Sequence, residues 1–239
     1  MIRVLLIGTG RMGTMIRRLA EADPEIQIAG AVSGSNAGDL SAMEKLADVA
    51  VDFSHRDSLP EVAEYIRRTG TPLVSGTTGF TARQLDQLRR LGDSAPVLYS
   101  ANYSIGVAVL KRLAAQAAAV LGDDFDIEII ETHHNQKADA PSGTAKLLLE
   151  AVDPKHAHTP LYGREGMCGK RSRREIGVHA VRGGTVAGEH TVAFFGPDEE
   201  VKLTHRADNR TIFAAGALKA AKKLVQMENG FYTLEDVLF

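Results

Sequence analysis

The first hundred residues alternate short apolar runs with amphipathic stretches. The first run, Ile2–Ile7, is almost continuously apolar, which is typical of a parallel strand covered on both faces. Four more runs predict strands at 26–32, 50–54, 71–74 and 96–99. The segments between them predict helices. Strands that alternate with helices indicate an α/β domain with a Rossmann-like, doubly wound parallel sheet.

The second half of the chain has a different order of elements. The alanine-rich segment 104–121 predicts one long helix, and 125–130 predicts a strand because polar and apolar residues alternate there. The segment 156–175 shows no regular pattern. Three later runs predict further strands: 176–181, 190–195 and 201–205. Four strands with helices indicate a second, α+β domain that contains an open mixed sheet.

A glycine-rich loop follows the first predicted strand and leads into an amphipathic helix. In this context the pattern G-x-G-x-x-G predicts a dinucleotide site, because glycine lets a pyrophosphate approach the backbone at the positive end of a helix. The residues assigned to this part of the cofactor site are Gly8, Thr9, Gly10, Arg11, Met12 and Gly13.

The residue that follows the second predicted strand is Ser33. An acidic residue at this position would bind the ribose hydroxyls and favour NAD, but the chain has none there. Ser33 or Ser35 could instead hydrogen-bond a 2′-phosphate or a hydroxyl, and Arg11 could supply a cation. The expected cofactor is NADPH or NADH, with a mild preference for NADPH.

Two later loops also follow predicted strands, and ligands of such sheets bind beyond the carboxyl ends of the strands. These loops are assigned to the rim of the cofactor site near the nicotinamide. Their residues are Gly76, Thr77, Thr78, Ala101, Asn102, Tyr103 and Ser104.

The C-terminal segment, with a predicted amphipathic helix at 211–227, is expected to return to the first domain. The predicted domains are therefore 1–104 plus 211–239 for the dinucleotide and 105–210 for substrate binding and oligomerisation. Because each domain would hold one reactant, closure is expected around hinges near 103–104 and 209–210.

Composition narrows the class of protein. The chain has 239 residues, of which 44% are hydrophobic and 24% are charged, as in an ordinary soluble globular protein. The formal net charge of -2 argues against a nucleic-acid or membrane partner. The single cysteine excludes an intrachain disulfide, and the first apolar run is too short for a signal sequence, so a cytoplasmic location is expected. The basic cluster 170–174 is interpreted as a solvated loop.

The densest group of reactive side chains lies at 131–145, directly after a predicted strand. His133 and His134 can exchange protons near neutral pH, and Lys137 adds a positive charge or a second proton donor. Downstream, Ser142 is a good N-cap for a helix. This stretch predicts an acid/base site for an acidic substrate.

The start of that helix favours a carboxylate. Its open N–H groups and the positive end of its dipole attract an anion, and Gly143 allows close approach to the backbone. The residues predicted to bind substrate are His134, Ser142, Gly143 and Thr144.

Several segments occur together in an order that resembles the dihydrodipicolinate reductase family, the 4-hydroxy-tetrahydrodipicolinate reductases. The resemblance covers essentially the whole chain, and its most specific part runs from His133 to Thr144. Because the segment after the second strand is short, the chain resembles the shorter members of the family. The segments are 8–13, 51–54, 76–80, 101–104, 131–144, 181–184 and 188–190.

The resemblance implies NAD(P)H-dependent reduction of (2S,4S)-4-hydroxy-2,3,4,5-tetrahydrodipicolinate to 2,3,4,5-tetrahydrodipicolinate, with loss of water, in diaminopimelate and lysine biosynthesis. It implies that a hydride passes to ring C4, that His133 is the proton donor or acceptor and that Lys137 is a second proton donor. It also implies that His134, Gly143 and Thr144 bind the dicarboxylate substrate, and that the protein is a homotetramer joined through the second sheet.

Other functions remain open from the residues themselves. An NAD(P)-dependent amino-acid or aldose-type dehydrogenase would share the two-domain plan but would not explain the stretch 131–145. A nucleotide-sensing binding protein would need a partner-binding module, and the sequence shows none. His133 and His134 lack a third metal ligand at suitable spacing, so no metal is expected.

Overall fold

The computed structural model describes residues 1–122 and 124–239, with the side chains of 34–37 outside the description. The strands within these residues are β1 (Ile2–Ile7), β2 (Ile26–Val32), β3 (Val49–Asp52), β4 (Leu73–Ser75), β5 (Pro96–Tyr99), β6 (Asp126–His133), β7 (Thr159–Leu161), β8 (Glu175–Arg182), β9 (Gly188–Phe195), β10 (Glu200–Ala207) and β11 (Gly230–Tyr232). The α-helices are α1 (Arg11–Glu21), α2 (Leu59–Thr69), α3 (Ala82–Arg90), α4 (Ile105–Leu121), α5 (Gly143–Val152), α6 (Thr211–Leu224) and α7 (Leu234–Leu238).

The chain forms two compact units. The first comprises Met1–Ser104 with Thr211–Phe239, and the second comprises Ile105–Arg210. None of the helices in the described part of the chain is long and apolar enough to cross a membrane.

The first unit contains a six-stranded sheet in the order β2-β1-β3-β4-β5-β11, and all neighbouring strands are parallel. Leu5 and Ile7 of β1 share a buried cluster with Val62 of α2 and Leu88 of α3. In contrast, α6 contacts α1 as well as β3 and β4. Helices therefore cover both faces, and the predicted doubly wound parallel sheet is confirmed.

The order of the strands reverses at β1, because β2 lies on one side of it and β3 on the other. Ligands of doubly wound sheets bind at this reversal, beyond the carboxyl ends of the strands. The glycine loop after β1 and the loop after β3 meet there, since a Cβ atom on Gly8 would lie 2.4 Å from the Phe53 carbonyl oxygen. The topology thus brings the predicted cofactor loops to one edge.

The second unit contains a five-stranded mixed sheet in the order β10-β9-β6-β8-β7. The central strand β6 pairs antiparallel with β9 and parallel with β8. Ile127 and Ile129 of β6 pack with Ala114 of α4 and Leu148 of α5, so both helices cover one face. The predicted mixed sheet is confirmed. The opposite face includes Ile130 and Val181, which are 36% and 47% exposed.

Two short strands were missed by the sequence patterns. The segment without a predicted pattern, 156–175, contains the edge strand β7, which pairs with β8. Similarly, β11 adds a sixth strand beside β5. Each has three residues, which is too short for alternation to be recognised.

The interpretation of 170–174 as a solvated loop is wrong for Arg171. Its guanidinium donates to Glu128 Oε1 at 3.1 Å and to Asp126 Oδ1 at 2.7 Å. Both carboxylates belong to β6, and their negative charge explains why the arginine folds back onto the sheet.

Candidate active site

Three neighbouring strands place four polar side chains on the helix-covered face of the second sheet. Glu131 and His133 are two residues apart on β6, so they point to the same face. In the strand register, His133 lies beside Arg182 of β8, and Glu131 lies opposite His190 of β9. The sheet therefore brings together residues that are far apart in the sequence.

Glu131 is the centre of this group. It is fully buried, and its Oε2 lies 2.6 Å from His133 Nδ1. Arg182 donates to both carboxylate oxygens, at 2.7 Å and 2.8 Å, and the backbone N–H of Ser142 donates to Oε1 at 2.9 Å. A bidentate arginine is a strong and directional partner for a carboxylate.

Ser142 joins the start of α5 to the sheet. It is the N-cap of α5, as predicted, because its Oγ accepts from the backbone N–H of Ala145 at 3.1 Å. The same oxygen lies 2.9 Å from His190 Nε2, and both side chains are buried. The rings of His133 and His190 meet edge to face, with centroids 5.0 Å apart. The helix start is thereby fixed beside His133.

Burial and charge act in opposite directions on the pKa values in this group. Burial would raise the pKa of Glu131, but hydrogen bonds from Arg182 and His133 outweigh it, so the pKa is lowered. Burial lowers the pKa of His133, although Glu131 works against this. Burial, together with the charge of His133, lowers the pKa of His190 to about 4, so His190 is neutral at pH 7.

Lys137 and His134 lie in the loop that follows β6. Lys137 Nζ donates to Asp139 Oδ1 at 2.7 Å, and the lysine side chain is 20% exposed while the aspartate side chain is 59% exposed. His134 Nε2 lies 3.4 Å from an Arg210 nitrogen. Exposed ion pairs contribute only about 0–1 kcal/mol, so a bound carboxylate can replace Asp139 as the partner of Lys137.

The first turn of α5 is accessible. Gly143 is exposed, and a Cβ atom added to it would meet no atom within 4 Å. Thr144 follows it in the same turn. This leaves room for an anion against the N–H groups of the helix start.

The sequence indicated His133, Lys137 and Ser142 as candidate site residues, but it indicated no role for Glu131 or His190. The predicted strand ended at residue 130, whereas β6 continues to His133. With that longer strand, the two-residue spacing would have placed Glu131 on the same face as His133. His190 could be found only from the pairing of β6 with β9. The strand predicted at 176–181 stops one residue short of Arg182, which in the structure ends β8 and binds Glu131.

In the first unit, the glycine loop fits a pyrophosphate. Gly8 has φ +96°, a conformation that glycine adopts readily, and a Cβ atom on Gly13 would lie 1.9 Å from the Gly8 carbonyl oxygen. A Cβ atom on Gly10 would meet nothing within 4 Å, and Gly10 caps α1 without a side-chain hydrogen bond. Thr9 and Arg11 are exposed beside this space and Met12 is half-buried. The start of α1 is therefore open to an anion.

The buried carboxyl group of Asp52, at the end of β3, organises the neighbouring loops that are predicted to bind the cofactor. It accepts from the Ser54 hydroxyl at 2.6 Å and from the Thr77 hydroxyl at 3.0 Å. Burial raises its pKa against these hydrogen bonds. The hydroxyl of buried Tyr103 donates to the Ser75 carbonyl oxygen at 2.8 Å. The side chains of Thr77 and Tyr103 thus hold the loops that were assigned to the nicotinamide.

The remaining predicted cofactor residues lie at the same carboxyl edge of the sheet. Thr78 and Ala101 are exposed, Gly76 and Asn102 are half-buried, and Ser104 is buried. Ser33 follows β2 as the N-cap of a 3-10 helix, Gly34–Ser41. The side chain of Ser35 lies outside the described residues.

No group of three or more His, Cys, Asp or Glu side chains in the described part of the chain is placed to hold a metal ion.

Two family models match consecutive parts of the chain. The model for the N-terminus of dihydrodipicolinate reductase matches residues 2–103, and the model for its C-terminus matches residues 106–238. The chain belongs to the dihydrodipicolinate reductase family. The predicted resemblance is thereby confirmed, and the chain is a member of a family of oxidoreductases.

Individual proteins that are similar to this chain carry the name of the same family. The 4-hydroxy-tetrahydrodipicolinate reductase of Alkaliphilus oremlandii is 43% identical, over 96% of this chain and 95% of the relative. The enzyme of the same name from Staphylococcus aureus (strain JH9) is 42% identical, over 99% and 100%. The dipicolinate-bound dihydrodipicolinate reductase of Paenisporosarcina sp. TG-14 is 25% identical, with a TM-score of 0.81 over all of both chains.

Proposed function

We propose that this protein is a 4-hydroxy-tetrahydrodipicolinate reductase. It reduces (2S,4S)-4-hydroxy-2,3,4,5-tetrahydrodipicolinate to 2,3,4,5-tetrahydrodipicolinate, with loss of water, in diaminopimelate and lysine biosynthesis. The observation that carries the proposal is the junction of β6 and α5, where Glu131 contacts both His133 and the backbone N–H of Ser142. A proton donor and a carboxylate site lie side by side there.

The substrate carboxylates bind at the start of α5. The N–H groups of Gly143 and Thr144 point out of the first turn, where the helix dipole adds a partial positive charge. Lys137 supplies a full charge once it leaves Asp139, and His134 adds a hydrogen bond. Ser142 contributes by fixing the turn, because its own hydroxyl is engaged with Ala145 and His190.

His133 protonates the ring of the substrate. Loss of the 4-hydroxyl and of one proton from the adjacent ring carbon, together as water, leaves a double bond between C4 and that carbon, conjugated with the ring imine. Bound NAD(P)H would supply the hydride that adds to C4, and the electron density that reaches the adjacent carbon then needs a proton. His133 delivers this proton, with Lys137 as the second donor. Burial lowers the pKa of free His133, but two substrate carboxylates would raise it and would favour the charged donor. Proton transfer by a positioned side chain contributes about 100- to 10,000-fold to the rate.

The first unit holds NADPH or NADH. The open start of α1 receives the pyrophosphate, and the loops fixed by Asp52 border the nicotinamide. The hydroxyl of Ser33 hydrogen-bonds either a ribose hydroxyl or a 2′-phosphate, and Arg11 supplies the positive charge. Neither nucleotide is excluded, because Ser33 carries no negative charge that would repel the phosphate of NADPH.

The protein assembles into a homotetramer and acts in the cytoplasm. The support for assembly is the sheet face that carries Ile130 and Val181, since exposed apolar side chains on a sheet favour contact with a second copy. Light scattering measures the mass directly. A monomer at micromolar concentration would contradict the tetramer.

Substitution of the two proton donors tests the catalytic assignment. We expect His133→Ala and Lys137→Ala to reduce kcat, with a loss of about 100-fold or more for His133→Ala, while nucleotide binding measured by calorimetry stays unchanged. Lys155→Ala is the matched control, because Lys155 is an exposed lysine beyond the far end of α5. Unchanged turnover in both site variants would contradict the assignment.

A further inference from the structure

The acceptor positions of the Glu131 carboxylate are used by four contacts. Oε1 accepts from Ser142 N and Arg182 Nη2, while Oε2 accepts from Arg182 Nη1 and contacts His133 Nδ1. The arginine and the backbone N–H can only donate, so they favour the ionised carboxylate. An ionised carboxylate has no proton to give. The proton in the contact with His133 therefore belongs to Nδ1.

This proton fixes the tautomer of His133. When Nδ1 carries the hydrogen, the neutral ring keeps its lone pair on Nε2. Gly188 of β9 lies beside that nitrogen, because a Cβ atom at this position would be 3.0 Å from Nε2. The glycine leaves the space at Nε2 clear. Nε2 is therefore the ring atom that can take up and release a proton.

We propose that Glu131 is a positioning residue for the reaction, and the proposal rests on the function given above. Glu131 fixes His133 with its hydrogen on Nδ1 and directs Nε2 toward the substrate, and Arg182 keeps Glu131 ionised. When Nε2 gives its proton to the substrate, the Nδ1 proton stays on the ring and the carboxylate stays charged. Water then returns a proton to Nε2.

Arg182 extends this arrangement to the second proton donor. Its Nη2 also donates to the carbonyl oxygen of Asp139 at 2.6 Å. The side chain of Asp139 in turn accepts from Lys137 Nζ. Arg182 thus contacts both the carboxylate that positions His133 and the loop that carries Lys137, whereas Glu131 itself acts on His133.

Glu131→Gln tests the proposal because it keeps the shape of the side chain and removes its charge. We expect kcat to fall by about 10- to 100-fold, less than in His133→Ala, with KM for the nucleotide unchanged. Without the anion beside it, His133 has a lower pKa, so the pH above which kcat declines moves down. Asp153→Asn is the matched control: Asp153 is also buried and contacts His158, but it caps the other end of α5.

A double variant separates positioning from general damage to the fold. If Glu131 acts through His133, adding Glu131→Gln to His133→Ala lowers kcat no further. Independent losses that multiply would overturn the proposal, as would a kcat and pH profile in Glu131→Gln equal to those of the unaltered protein.

Nitrogen NMR of labelled histidine gives a readout without turnover. We expect His133 in the free protein to be protonated at Nδ1 and to lose this preference in Glu131→Gln. A ring protonated at Nε2 in the unaltered protein would overturn the proposal. Because this experiment needs no substrate, it remains decisive for the tautomer even if the reductase activity is not found.

Discussion

Ser142→Ala should destabilise the second unit by more than the loss of an ordinary helix cap. The substitution removes the oxygen that accepts from Ala145 N and that shares a hydrogen bond with His190. Loss of an N-cap costs about 0.5–2 kcal/mol. A buried ring nitrogen left without its partner adds about 1–3 kcal/mol. We therefore expect the free energy of unfolding to fall by about 3 kcal/mol.

Urea denaturation at one fixed protein concentration measures this loss, because assembly would make the midpoint depend on concentration. Thr81→Ala is the control. Thr81 caps α3 through the backbone N–H of Gln84 at 3.3 Å, and it is exposed. Its removal should cost only about 1 kcal/mol. Equal losses in the two variants would refute the role of the buried contact with His190.

The pKa of His190 is about 4 in the folded protein, against 6.5 for an unperturbed imidazole, so the unfolded chain binds the proton more readily. The free energy of unfolding should therefore fall as the pH drops from 6.5 toward 4, by at most about 3 kcal/mol. Urea midpoints should show this slope reduced in His190→Gln; an identical slope would contradict it. Gly188→Ala should lower kcat about tenfold, because the added Cβ atom would displace His133. Gly183→Ala is the control, since a Cβ atom there would meet no atom within 4 Å, and equal kcat values in the two variants would contradict the prediction. X-ray scattering should show a smaller radius of gyration with NADPH plus pyridine-2,6-dicarboxylate if the units close around 103–104 and 209–210, and unchanged profiles would argue against closure.

Local patterns were sufficient for much of the fold. Five of the six strands in the parallel sheet of the first unit follow from apolar runs that end in glycine or polar loops. The start of α5 follows from Ser142 alone, because capping is a local interaction between a side chain and the next turn. Both signals act over a few residues.

The parts of the fold and of the site that could not be predicted from the sequence depend on pairing between distant segments. His190 and Arg182 reach Glu131 only because β9 and β8 flank β6 in one particular register. Nothing in the sequence near His133 identifies those partners. The same reason applies to β7 and β11, which are strands because a longer neighbour offers them hydrogen bonds.

The measurement that tests the proposed function most directly is the loss of nicotinamide absorbance after the protein is mixed with freshly generated 4-hydroxy-tetrahydrodipicolinate. The reaction should be run in parallel with NADH and NADPH. We predict that the protein oxidises at least one of them, and the ratio of the two efficiencies will report the preference set at Ser33. No oxidation of either, with nucleotide binding demonstrated by calorimetry, would contradict the reductase function.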